Sequence, residues 1–224
     1  TRFPRCWKLS RKTGRLCWQR GNKVFDEIFT NAEKTIKEDT YAAVYAASKP
    51  EEKAVVCILG TGSNCTYFDG KDIEQRVTSL GYILMDEASG NFYGKQLIRS
   101  YYFNTMPKSL ADEFEKEYDL SPDTIKENIY RRENPNTYLA TFSKFLIKHK
   151  DNELFQKIIK NGLERFINHQ ILQFDNAKQV PIHFIGSISF FLKEEIKQAL
   201  EEKGLTMGRI VQRPIEELVK YHIH

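Results

Sequence analysis

The chain has 224 residues, of which 41% are hydrophobic and 29% charged, and its formal net charge is +4. This is the composition of a globular protein with one large or two small domains. No apolar run approaches the roughly 18 residues that a membrane span requires. The sequence therefore predicts neither a membrane span nor a signal peptide, and a cytoplasmic protein is the expectation.

The positive charge is concentrated at the start of the chain. Residues 1–23 hold eight lysines and arginines and no acidic residue, so residues 24–224 carry a net charge of −4. A mildly acidic body argues against the extended basic surface by which proteins bind nucleic-acid backbones.

The four cysteines, at positions 6, 17, 57 and 65, form no C-x-x-C pair and have no histidine at zinc-ligand spacing. Cys57 and Cys65 lie in strand-like segments, where small thiols are common packing residues. The pattern predicts free thiols in a reducing cytoplasm rather than a metal cluster or a disulfide framework.

In chain order, the first predicted elements are helical. Residues 1–22 have no periodicity that places them in a fold, whereas residues 24–29 carry a helix-like apolar stripe. Residues 40–47 are a second apolar segment that predicts a short helix. A polar loop at 49–53 follows.

Three strands are predicted in immediate succession near residues 54–78. Residues 54–59 are a buried-type strand, and 65–68 and 71–77 are joined through Asp69-Gly70. Asp-Gly between two β-favouring runs is a strong hairpin signal. This part of the chain therefore predicts an antiparallel meander.

The middle of the chain has the periodicity of amphipathic helices. Helices are predicted from Asn91 and near residues 108–118, 137–149 and 151–174. Ser121-Pro122-Asp123 is typical of a helix start, with an N-cap, a proline at the first position and an acid in the first turn.

The last part alternates strands and helices. Strands are predicted at 181–185 and 206–212, and helices at about 189–203 and 214–221. The whole order predicts an α/β fold whose mixed sheet has a three-stranded meander, then helix, strand, helix, strand and helix, with a helical insertion. His183, inside an apolar strand, is predicted to be a packed histidine.

The turn Gly60-Thr61-Gly62-Ser63-Asn64 is the main candidate for a ligand site. Glycines allow close backbone approach, so amide groups can point at an anion, and the hydroxyls and the Asn64 amide add hydrogen bonds. It is neither a P-loop nor a dinucleotide fingerprint. The residues alone leave two readings open, a phosphate site and an ordinary glycine-containing β-turn.

Four segments together resemble one known family, the N-acetylglucosamine kinase and BadF-type branch of the actin/Hsp70/hexokinase-like (ASKHA) ATPase superfamily. Gly60–Cys65 is similar to its second phosphate motif and Leu80–Gly90 to its Leu-Gly…Gly-Asp-Glu-Gly-Ser-Gly segment. Phe184–Ile188 is similar to its adenosine motif and Gln212–Ile215 to its closing strand and helix. The resemblance covers residues 37–224 and implies a ribonuclease H-like, actin-type ATPase domain.

The sequence departs from the family pattern in two places. Met85 and Ala88 stand where the family usually has glycines beside the Asp-Glu pair. Residues 1–53 lack the Asp-x-Gly-x-Thr/Ser loop with which family members begin. The expectation is therefore a C-terminal kinase domain at 37–224, preceded by an atypical basic leader and a remnant of the N-terminal lobe at 1–36.

The resemblance implies ATP-dependent phosphorylation of N-acetylglucosamine, or a related amino sugar, at its 6-hydroxyl, with Mg²⁺ as cofactor. It makes Asp39 the general base, against the simpler reading of a helix N-cap. The remaining implied site residues are Gly60, Thr61, Gly62 and Ser63 for phosphate, Gly62, Asn64, Asp86 and Glu87 for the sugar, and Gly186 and Ser187 for adenosine.

Each implied role has a structural alternative. Asp86-Glu87 fits an acid pair at a helix N-terminus, and Gly186-Ser187 fits a tight strand-to-helix turn. For the chain as a whole, a non-catalytic nucleotide- or sugar-binding fragment competes with the kinase. An iron–sulfur activator of the same superfamily is disfavoured by the cysteine placement. Expected partners are the small-molecule sugar and ATP, with no nucleic acid or membrane, and a homodimer is left open.

Overall fold

A computed structural model describes Ile28 and residues 39–223. The chain divides into two compact units, Thr1–Asp39 and Thr40–His224, and apart from Ile28 and Asp39 the described residues belong to the second. Ile28 is helical. The rest of the predicted stripe at 24–29 and the basic leader lie outside the described residues.

A five-stranded mixed sheet forms the centre of the second unit. Its strands are β1 (Ala54–Leu59), β2 (Ser63–Phe68), β3 (Ile73–Glu74), β4 (Pro181–Ile185) and β5 (Thr206–Val211). They lie in the order β3-β2-β1-β4-β5. The β1–β2 and β2–β3 pairs are antiparallel, whereas β4 pairs in parallel with both β1 and β5. The predicted meander and mixed sheet are confirmed.

The third strand is shorter than predicted. Asp69-Gly70 makes the expected reversal, because the Asp69 Oδ1 atom accepts from the amides of Lys71 and Asp72 and Gly70 has φ +102°. Only residues 73 and 74 then pair with β2. Beyond them Gln75 turns its side chain to Asn64, so the prediction of a strand over 71–77 was wrong in length.

Helices are present at the positions predicted within residues 39–223, although three predicted single helices are each divided into two. The helix predicted at 151–174 ends at His169 and is followed by a 3-10 turn, Ile171–Gln173. The helices are α1 (Asp39–Ala47), α2 (Gly90–Tyr102), α3 (Lys108–Glu117), α4 (Pro122–Lys126), α5 (Pro135–Thr141), α6 (Ser143–Lys148), α7 (Glu153–His169), α8 (Ser187–Phe191), α9 (Lys193–Glu201) and α10 (Pro214–Ile223). A π-helical turn, Glu127–Arg131, follows α4 directly. The other two interruptions fall at Phe142 and Leu192, and the Ser121 side chain makes no capping hydrogen bond although α4 begins at Pro122 as predicted.

The sheet is covered on both faces. The smaller core joins α1 to one face, with Val44, Val56 and Phe68 among its buried members. The larger core joins the other face to the helical insertion, with Phe92 and Phe166 among its members. Helix α2 packs closely on α5, since a Cβ atom at Gly94 would lie 1.8 Å from the Leu139 carbonyl oxygen. Covering both faces explains why β1 and β4 are almost entirely apolar.

His183 is a packed core histidine, as predicted. Its side chain is buried in β4, and its Nδ1 atom accepts a hydrogen bond of 2.8 Å from the Arg209 amide on β5. Its Nε2 atom lies 3.4 Å from a Glu52 carboxylate oxygen. Burial lowers the pKa of His183, against a smaller raising effect of Glu52.

Candidate functional site

In the turn between β1 and β2, two backbone amide groups have no hydrogen-bond acceptor among the described residues. All three carbonyl oxygens of residues 60–62 accept hydrogen bonds from inside the protein, the Gly62 oxygen from the Gly60 amide at 3.0 Å. Within the described part of the chain, the Thr61 and Gly62 amides donate no hydrogen bond. Thr61 is exposed and Gly62 is half-buried. Two adjacent N–H groups without an acceptor among the described residues are a backbone arrangement that can accommodate an anion.

The N-terminus of α2 holds this turn in place. The Gly90 amide donates to the Gly60 oxygen at 2.8 Å, and the Asn91 amide donates to the Thr61 oxygen at 3.0 Å. The Asn91 Nδ2 atom also donates to the Thr61 oxygen, at 2.6 Å. The carbonyl groups therefore point toward α2, because the first amides of a helix need acceptors.

Asp86 lies directly against the turn. Its side chain is buried, its Oδ2 atom accepts from Asn91 Nδ2 at 3.0 Å, and its φ is +69°. A Cβ atom at Gly62 would lie 2.7 Å from this same Oδ2 atom. Glycine at 62 is therefore required for the Asp86 carboxylate to occupy this position.

The second predicted small-residue turn meets the first one. Gly186 directly follows β4 and has φ +118°. A Cβ atom there would lie 2.4 Å from the Leu59 carbonyl oxygen and 3.2 Å from the Gly60 nitrogen. Ser187, the first residue of α8, is exposed. The carboxyl ends of β1 and β4 thus bring the predicted phosphate and adenosine residues side by side. The tight strand-to-helix turn is present, and the adenosine role stays a prediction.

Other predicted site residues make mainly local contacts. The Asn64 Oδ1 atom accepts from the Cys65 amide and from Gln75 Nε2, both at 2.8 Å. The Ser63 Oγ atom is buried and has no hydrogen-bond partner among the described residues. Asp39 is the first residue of α1, and its side chain lies outside the described residues.

Glu87 points away from the turn toward α7. Its Oε1 atom lies 2.7 Å from the Arg165 guanidinium, while its Oε2 atom is buried without a hydrogen-bond partner. Helix α2 begins at Gly90 with Ser89 as its N-cap, and its first turn holds no acidic residue. Asp86 and Glu87 thus precede the N-cap of α2, and their reading as an acid pair at a helix N-terminus stays a prediction.

Met85 and Ala88, which stand where the family pattern has glycines, differ in their surroundings. Ala88 is fully buried with φ +57°, in the left-handed region that favours glycine, whereas Met85 is half-buried. The backbone at 88 therefore keeps a glycine-like conformation although it carries a methyl group.

Sequence reasoning missed Asn91, the residue that joins the turn to Asp86. It is buried, and its two Nδ2 hydrogen bonds reach partners five and thirty positions away. Asparagine just inside a predicted helix carries no local signal of such a role. It could have been found only by knowing that α2 starts against the β1–β2 turn.

Two solved structures resemble this chain in fold. A protein from Porphyromonas gingivalis named "putative N-acetylglucosamine kinase" is 38% identical, with a TM-score of 0.77 over 81% of this chain. A protein of the same name from Chromobacterium violaceum is 14% identical, with a TM-score of 0.65 over 87% of this chain and 69% of its own length. The chain shares its fold with both. The second match shows the fold alone.

The chain spans 63% of the length of the Porphyromonas gingivalis protein. No protein-family model matches the chain, and neither does any curated protein sequence. Among the described helices, none combines the length and apolar character needed to cross a bilayer.

Proposed function

We propose that this chain carries the phosphate- and sugar-binding side of an ATP-dependent kinase with a ribonuclease H-like, actin-type ATPase domain. The single observation that carries the proposal is the Gly60–Gly62 turn: its three carbonyl oxygens accept hydrogen bonds from within the protein, and its Thr61 and Gly62 amides have no acceptor among the described residues. Identity of 38% to a protein named as an N-acetylglucosamine kinase supports the reaction class. We assign residues 37–224 to the C-terminal domain of such an enzyme, and residues 1–36 to an atypical basic leader and a remnant of its N-terminal lobe.

The nucleotide would bind along the carboxyl ends of β1 and β4. The free amides and the exposed Thr61 hydroxyl fit phosphate oxygens, with the Ser63 hydroxyl beside them, and Gly186 and Ser187 would face the adenosine. Mg²⁺, when bound with ATP, would supply charge neutralisation at the phosphates. The chain's own contribution is to position the phosphates with fixed backbone dipoles.

The sugar would bind beside Asp86. Because Asn91 holds the Oδ2 atom, the Oδ1 atom is left to accept from sugar hydroxyls. We propose that Gly62 and Asn64 also lie beside the sugar, and that Glu87 lies farther out on the same side of the site. Asp39 would accept the proton of the 6-hydroxyl as that oxygen attacks the γ-phosphorus and ADP leaves.

Sugar-dependent release of ADP tests the proposal. The chain is incubated with ATP, Mg²⁺ and N-acetylglucosamine, and its rate is compared with that of Asp39→Asn, which keeps the side-chain size but removes the base. A kinase gives sugar-dependent turnover that falls at least about 100-fold in the variant. ATP binding with no turnover above the variant's would instead support the non-catalytic fragment. Absence of both ATP binding and sugar binding would refute the kinase and the non-catalytic fragment alike.

A further inference from the structure

Cys57 and Cys65 face each other across the β1–β2 pair. Their Sγ atoms lie 3.4 Å apart and both side chains are buried on the larger core's side of the sheet. We propose that this pair is an oxidisable dithiol, which a low-molecular-weight disulfide such as oxidised glutathione converts reversibly into a Cys57–Cys65 disulfide.

The register puts the two cysteines in the kind of antiparallel pair that can be bridged. The Gly60 amide donates to the Gly62 oxygen, so hydrogen-bonded and non-hydrogen-bonded pairs alternate outward from there and the Cys57–Cys65 pair is non-hydrogen-bonded. The Cys65 amide supports this assignment, because it donates to Asn64 Oδ1 on the outer side of β2 and not to β1. Cα atoms in such pairs are about 4.5 Å apart, at the near end of the range that disulfides span.

The chemistry balances with two molecules of glutathione as product. One cysteine thiolate attacks a sulfur of oxidised glutathione, forms a mixed disulfide and expels one glutathione thiolate. The second cysteine then attacks the protein sulfur of the mixed disulfide and expels the second glutathione. The two cysteine protons pass to the departing thiolates. To form the bond, the sulfurs close from 3.4 Å to about 2.05 Å.

Burial sets the rate of this reaction. It raises the pKa of the Cys57 thiol well above its usual value, so the closed hairpin holds Cys57 as the unreactive thiol. Strand β3 pairs with β2 only at Tyr67 and Phe68, so the outer edge of β2 around Cys65 has no ladder partner among the described strands. Local opening of β2 is therefore the route by which the oxidant reaches the sulfurs.

The bridge would lie three residues from the Gly60–Gly62 turn on each strand. Oxidation would then hold together the two strands that carry the turn. This consequence for the phosphate site rests on the proposed function, whereas formation of the disulfide does not.

Tryptic mapping gives a direct test, because cleavage after Lys53 and Lys71 leaves both cysteines in one peptide, residues 54–71. The folded chain is incubated with oxidised glutathione, unfolded in iodoacetamide without reductant, digested and weighed. The expected peptide is lighter by two hydrogens, carries no alkyl group, and takes up two alkyl groups after prior dithiothreitol treatment. Two alkyl groups without reduction, or one glutathione and one alkyl group, would overturn the proposal.

Cys65→Ser is the matched control. Its peptide 54–71 cannot lose the two hydrogens and ends either alkylated or joined to glutathione at Cys57. Hydrogen exchange gives a second readout on the unsubstituted chain, independent of whether the variant folds. Amides of residues 54–68 are expected to exchange more slowly after oxidation, since the bridge prevents opening of the hairpin. Unchanged exchange in a bridged chain would overturn the assigned route through opening of β2.

Discussion

Asn91→Ala removes both side-chain hydrogen bonds that tie Asp86 to the Gly60–Gly62 turn. The lost bonds are Nδ2 to the Asp86 carboxylate at 3.0 Å and Nδ2 to the Thr61 oxygen at 2.6 Å. The backbone bond from the Asn91 amide to the same Thr61 oxygen remains. The substitution therefore frees the carboxylate without releasing the turn from α2.

The magnitude follows from these contacts. A hydrogen bond to a charged group contributes about 1.5–3 kcal/mol and a neutral one about 0.5–1.5 kcal/mol. Against this, the Asn91 Oδ1 atom is buried and has no hydrogen-bond partner in the described part of the chain. Removing this atom removes its desolvation penalty, which raises the free energy of unfolding by about 1–3 kcal/mol. The net loss is about 1–2 kcal/mol in the free energy of unfolding, which for a chain of this size lowers Tm by about 2–8 °C.

Urea unfolding of the variant measures this loss, with Asn128→Ala as the matched control. Asn128 is half-buried and donates one side-chain hydrogen bond, to the Thr124 oxygen at 2.8 Å, far along the chain from the turn. Under the proposed function, Asn91→Ala also weakens sugar affinity about tenfold, because about 1.4 kcal/mol of carboxylate orientation is lost. Asn128→Ala leaves sugar affinity unchanged.

Two results would refute this reasoning. One is an Asn91→Ala midpoint no lower than that of Asn128→Ala. The other is simple additivity with Asp86→Ala, since residues in direct contact should show a coupling free energy of at least about 0.5 kcal/mol.

Three further predictions follow from other positions. In Gly60→Ala the new methyl group faces open space, so the free energy of unfolding should change by less than about 0.5 kcal/mol. The affinity for ATP, measured by calorimetry, should nevertheless fall. Unchanged affinity would argue against a phosphate site. Gly94→Ala should lower the free energy of unfolding by at least about 3 kcal/mol, because its Cβ atom would overlap the Leu139 oxygen. A Tm equal to that of the unsubstituted chain would contradict the packing of α2 on α5. Because burial lowers the pKa of His183, the unfolded chain takes up this proton first, and stability should fall as pH drops through about 6.5. His183→Asn, whose amide oxygen can still accept from the Arg209 amide, should show a shallower fall in acid urea titrations, and an equal slope would exclude His183 as the cause.

Local patterns predicted most of the fold. The apolar run 54–59, Asp69-Gly70 and the Pro122 helix start each depend on neighbouring residues, and each has the predicted form. Hydrogen bonds from side chains to the local backbone accompany one of the departures. The Thr141 and Ser143 hydroxyls bond to carbonyl oxygens three residues before them, beside the break between α5 and α6. Side-chain bonding of this kind competes with helical continuity and is not visible in apolar periodicity.

The candidate site divides in the same way. Glycines 60, 62 and 186 could be selected from sequence as small residues at strand ends. Gly62 and Gly186 lie against atoms that would exclude a Cβ, whereas a Cβ at Gly60 would meet open space. The bond from Gly90 to Gly60 and the position of Asn91 depend on where α2 begins in space. Glu87 was assigned with Asp86, yet the two side chains diverge, because Arg165 on α7 attracts only Glu87.

The parallel pairing of β1 with β4 has a consequence for synthesis of the chain. Val55 pairs with Ile182, so at about 5–20 residues per second the ribosome needs roughly 6–25 seconds to deliver the partner of β1. During that interval the backbone N–H and C=O groups on the unpaired edge of β1 can form hydrogen bonds with other nascent chains. Newly made protein should therefore depend on chaperones until β4 emerges, and chains that stop before residue 181 should aggregate.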